Sequence, residues 1–64
     1  MELQIGQQVA LIKGGTVVDG LVSGWMVAGG EVAHIFIEEI ESPFRLIGEN
    51  AWQLATLEDE NGEI

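Results

Sequence analysis

Two glycine pairs, Gly14–Gly15 and Gly29–Gly30, cut the first half of the chain into apolar runs of strand length. "QQVALIK" precedes the first pair, "TVVDGLVSGWMVA" lies between the two, and "EVAHIFIEE" follows the second. Glycine tolerates the positive φ that tight turns require, and β-branched runs bounded by such turns favour strands. Pro43 marks a boundary and disfavours helix at Ser42. Beyond it, "FRLI" reads as a short fourth strand, "GENAW" as a tight turn and "WQLATL" as a fifth strand. The segment "ENAWQLATLEDE" has reasonable helix propensity, but the glycine-punctuated chain before it favours an all-β meander. The predicted fold is therefore all-β, a small five-stranded SH3-like barrel over residues 1–57. The acidic stretch 58–64 is expected to be a frayed, flexible tail.

A chain of 64 residues is one domain at most and is marginal unless something staples it. The sequence has no cysteine, so a disulfide is excluded. His34 is the only histidine, and without thiolates it cannot build a zinc cage, so no metal site is expected. Efficient packing or oligomerisation remains as the source of stability. No run approaches the roughly 18 apolar residues of a membrane span. "MELQIGQQ" lacks the basic start and apolar middle of a secretory signal, so the expected compartment is the cytoplasm.

Charge narrows the partners. The formal net charge is −9, from eleven acids against Lys13 and Arg45. Glu58, Asp59, Glu60 and Glu63 lie near the C-terminus, but the rest of the chain is acidic without them. Phosphate binding requires cations that displace counterions. Nucleic acid and anionic membrane are therefore not expected partners.

The strands leave apolar side chains on two faces. In "EVAHIFIEE", Ala33, Ile35 and Ile37 share one face, and Val32, His34 and Phe36 the other. In the second strand, strict alternation groups Val18, Val22 and Met26 with Gly20 and Gly24. It sets Val17, Asp19, Leu21, Ser23 and Trp25 opposite them. Glycines within a strand suit sharp coiling or a close backbone approach.

Two resemblances rest on these residues. Gly6-x-x-Val9-x-Leu11-Ile12-x-Gly14, followed by Gly20 and Val22, resembles the KOW element of ribosomal and transcription-factor barrels, without the basic residues such elements use on RNA. Gly6-Gln7-Gln8-Val9, then Gly20-Leu21-Val22-Ser23-Gly24-Trp25, looks like the type II (plasmid-encoded) dihydrofolate reductases over roughly Gly6 to Leu57. That second resemblance implies an SH3-like barrel assembled as a tetramer around a central pore. The family's late "Val-Gln-Ile-Tyr" has its counterpart in Phe44-Arg45-Leu46-Ile47, where Arg45 replaces the Gln and Ile47 replaces the Tyr. The family's first-strand lysine would fall near Leu11 or Ile12, with Lys13 displaced. The pore residues that touch folate and NADPH are thus not retained, and no cofactor is expected.

Chemistry-bearing residues are few. His34 sits in an apolar strand with no acid spaced to orient it, so it reads as structural. Glu38, Glu39 and Glu41 precede Ser42-Pro43 and read as a solvated loop rather than a cation site. Trp52 reads as a plug at one end of a barrel. Arg45, between Phe44 and Leu46, is expected to pair with a carboxylate of the chain. No nucleophile–base pair and no phosphate loop can be assembled, so no catalytic residue is assigned. The binding or interface candidates are Trp25, Phe44, Arg45 and Ile47, with Trp25 placed by alternation on the more polar side of its strand. The leading reading is a non-enzymatic interaction module that self-associates through apolar faces, a homo-oligomer open to a further protein partner. One alternative is a pore enzyme or small-molecule binder of the type II reductase kind. Another is an acidic phage or mobile-element inhibitor that mimics nucleic-acid charge.

Overall fold

The computed structural model describes residues 3–56. Five strands follow one another: β1 (Gln8–Lys13), β2 (Thr16–Ala28), β3 (Glu31–Ile37), β4 (Phe44–Arg45) and β5 (Gln53–Thr56). They form one antiparallel sheet in the order β4-β3-β2-β1-β5, so the last strand returns beside the first. The all-β expectation holds, and the described residues contain no helix. Thus no helix among them is long and apolar enough to cross a membrane.

The glycine pairs make the two hairpins. Lys13 pairs with Thr16 across Gly14–Gly15, and Ala28 pairs with Glu31 across Gly29–Gly30. At the second turn φ is +61° for Gly29 and +84° for Gly30. Positive φ at both central residues is the type I′ pattern, whose twist matches that of the flanking strands.

Strand β2 serves two neighbours end to end. Its first part pairs with β1, from Gln8↔Leu21 to Lys13↔Thr16. Its second part pairs with β3, from Val22↔Ile37 to Ala28↔Glu31. Near the change of neighbour, Gly20 lies against Ile37. Just before β5, the Trp52 N–H donates to the carbonyl of Arg45 on β4 at 2.8 Å.

The core is small. Val9, Leu11, Val22, Ile35 and Ile37 form its buried cluster, with Ala10 and Ala33 also buried. Leu3, Val18, Trp25, Phe44, Leu46, Trp52 and Leu54 pack around it, each half-buried. No polar or charged residue is buried among the described residues.

Strand β1 starts one residue later than the sequence reading has it, at Gln8, and three later strands differ as well. Strand β3 stops at Ile37, because Glu39 turns the chain with φ +72°. Strand β4 is two residues long, although the Leu46 N–H still reaches the Ala33 carbonyl at 2.8 Å. Strand β5 is described only from Gln53 to Thr56. The stretch 58–64, expected to be a frayed tail, lies outside the described residues.

Candidate interaction surface

The candidates Phe44 and Arg45 both lie on β4 and separate to its two sides. Phe44 pairs with Ile35 on the core side. Its ring meets Trp52 edge to face, with centroids 5.1 Å apart and planes at 85°. This is the arrangement that aromatic quadrupoles favour. The Lys13 ammonium sits 5.4 Å from the Trp52 ring centroid, within cation–π range. Trp52 therefore packs onto one end of the core, as a plug would. A groove of about 740 Å³ runs beside it, lined by Leu3, Glu31, Val32, Leu46 and Leu54 among others.

Arg45 pairs with His34 on the outer side and is exposed. Its Nη2 donates to the Glu49 backbone carbonyl at 2.6 Å. Among the described residues its partner is thus a main-chain carbonyl of the β4–β5 loop, where the sequence suggested a carboxylate. Gly48, with φ +91°, makes room for it, since a Cβ there would lie 3.1 Å from Arg45 Nη1. Ile47 is half-buried in the same loop.

Trp25 does not lie where strict alternation puts it. The β2–β3 register shifts between Val22 and Gly24, and the extra residue, Ser23, reverses the faces that follow. Trp25 pairs with buried Ile35 and packs on the core cluster. The same shift turns Met26 outward, beside His34, away from the Val22 side that alternation assigned to it. A second shift between Met26 and Val27 sets Val27 against Val32.

The result is an outward face that the strand parity did not reveal. It carries Gly24 and Met26 from β2, with His34 and Phe36 from β3. Met26 is 53% exposed, and His34 and Phe36 are half-buried. None of these four residues carries a carboxylate. The nearest acid along these strands, Glu31, stands at its end.

The acids lie elsewhere. Glu38, Glu39 and Glu41 are exposed in the β3–β4 connection, where the sequence placed a solvated loop. Glu38, Glu39 and Asp19 border a shallow hollow with Leu21 and Ile40. No group of three or more potential ligating side chains could hold a metal ion among the described residues.

Comparison with known proteins gave no matching family model, no matching curated protein and no matching solved structure.

Proposed function

We propose that this chain is a non-enzymatic interaction module of the SH3-like barrel type that self-associates through an apolar sheet face. The observation that carries this reading is the outward face of β2 and β3, where exposed Met26 and half-buried Phe36 stand together. Solvent-facing sides of antiparallel strands ordinarily alternate to polar residues, and contiguous exposed apolar patches mark interaction sites. Self-association also answers the stability problem of a 64-residue chain without cysteine, because binding to the folded state alone raises its stability. Sedimentation equilibrium at micromolar concentration tests it. The expected mass exceeds that of one 6.9 kDa chain. A single-chain mass at every concentration, with a high melting temperature, would contradict it.

A second reading is favoured by the groove beside Trp52. Its apolar lining suits a small, largely apolar ligand held against an aromatic ring. A quench of tryptophan fluorescence on titrating such a ligand, absent in Trp52→Phe, is the result this reading expects.

A further inference from the structure

Strand β5 is paired on one side only. Its residues Gln53, Leu54, Ala55 and Thr56 face Ile12, Leu11, Ala10 and Val9 of β1, and it stands last in the strand order. Among the described residues no backbone hydrogen bond joins its other side to a further strand. Strand β3 is open in part. Strand β4 pairs with it at His34 and Ile35, and the Leu46 N–H reaches the Ala33 carbonyl. On that side no described residue pairs with Glu31 or Val32. The groove beside Trp52 is lined from both places, by Glu31 and Val32 of β3 and by Gln53, Leu54 and Ala55 of β5. An open strand edge presents unpaired N–H and carbonyl groups, a template on which a further strand can form. Here the edge borders a groove whose lining includes apolar Ile12 and Leu46.

We propose that this groove takes an extended peptide segment of another protein, added as a strand along the β5 edge, with apolar side chains at alternate positions and lysine or arginine between them. This rests on the groove of the second reading, gives it a peptide as occupant, and does not depend on self-association. Edge, lining and charge choose the occupant together. In strand addition the main-chain hydrogen bonds supply affinity, and pockets for every second side chain supply specificity. The period of two in a strand puts alternate side chains on one face, where the apolar lining accepts them. Among the described residues that line the groove, Glu31 alone is charged, and it is exposed. Glu58, Asp59 and Glu60 follow Thr56 closely in the sequence, and the whole chain carries −9. That field draws in a cationic segment and repels an acidic one. It also disfavours a second copy at this edge, because the acids that follow β5 would come with it.

The test uses the full chain and a fluorescently labelled synthetic peptide, Lys-Val-Lys-Leu-Lys-Val-Lys, with blocked ends. Anisotropy at low salt is expected to show saturable binding. Replacing the apolar residues of the peptide by serine, or its lysines by glutamate, should weaken binding at least about tenfold. N-methylation at alternate residues keeps every side chain and removes N–H donors from one edge of the peptide. Of the two alternating frames, the one that faces β5 should bind at least about tenfold more weakly. In isotope-labelled protein the amide shifts are expected at Gln53, Leu54 and Ala55 and at Glu31 and Val32. Glu31→Lys, at an exposed position, should weaken the lysine peptide at least about threefold. If that variant fails to fold, the peptide series on the unmodified chain decides alone. The inference is overturned if the serine or the glutamate peptide binds as well as the parent, or if both N-methylated forms do. Shifts confined to the hollow of Asp19, Glu38 and Glu39 would overturn it too. If the peptide does not bind while a neutral naphthalene dye is held and released by Trp52→Phe, the peptide inference falls and the small-ligand groove stands. If neither binds, both fall.

Discussion

Ile37 occupies the space that a side chain at position 20 would need: a Cβ on Gly20 would lie 2.5 Å from Ile37 Cγ2. Ile37 is buried and β-branched, so that methyl group cannot swing away without moving the core. Gly20 is in this sense part of the core, present as an absence of volume at the point where β2 passes from β1 to β3.

Gly20→Ala is therefore expected to destabilise the fold by about 1–3 kcal/mol, the usual range for overpacking. Urea unfolding followed by circular dichroism measures it. Ile37→Leu removes the Cγ2 branch at constant volume. Combined with Gly20→Ala, it should recover part of the loss, giving a non-zero coupling in the double-mutant cycle. Strict additivity would show that the two positions do not act on each other.

The two hairpins were legible because they depend on local chemistry. Gly14–Gly15 and Gly29–Gly30 announce turns, and the runs between them are too apolar and too β-branched for much else. The placement of Trp25 was not legible. It depends on Ser23 having no counterpart on β3, which is a property of the pairing and not of β2's own sequence. Strict parity therefore assigned Trp25 and Met26 to the wrong sides and hid the apolar face. Gly24 beside Trp25 was the available hint, since in-strand glycines often accompany such irregularities. Arg45 shows a similar limit. Its need for a partner could be read from the sequence, but a main-chain acceptor at Glu49 depends on how the loop folds.

Glycines in turns should respond unequally to alanine. Gly30 has φ +84°, where a side chain is strained whatever the space around it. Gly30→Ala should lower stability by about 1–2 kcal/mol. Gly15 has no positive φ and open space around it. Gly15→Ala should be neutral or stabilise by up to about 1 kcal/mol, by reducing the freedom of the unfolded chain. Denaturant midpoints of the two variants make the comparison, and equal losses would contradict the turn geometry.

Trp52 joins the end of the core to the only lysine. Trp52→Ala removes the ring that Phe44 meets edge to face and that Lys13 overlies. Because the ring is half-buried, the expected loss is about 2–3 kcal/mol, below the roughly 3–5 kcal/mol of a fully buried aromatic. Lys13→Met should change stability by less than about 1 kcal/mol, since an exposed cation–π contact contributes little. Thermal melts distinguish the two. A Lys13→Met loss as large as that of Trp52→Ala would mean that the ammonium, and not the apolar packing, holds the ring.

The final prediction concerns anions. Both cations of the chain have local engagements, Lys13 over the Trp52 ring and Arg45 on the Glu49 carbonyl. They are the only two cationic side chains, and the net charge of −9 opposes the approach of any polyanion. Duplex DNA, single-stranded RNA and NADPH are therefore expected not to bind, even at low salt, where the screening length is greatest and an attraction would be easiest to detect. Titration of each by fluorescence anisotropy or calorimetry, at low and then physiological salt, is the measurement. One arrangement escapes the argument: symmetry could gather several copies of Arg45 around a common axis and focus positive potential there. Micromolar, salt-sensitive binding that is lost in Arg45→Ala would identify that ring and replace the interaction module with a ligand-binding pore.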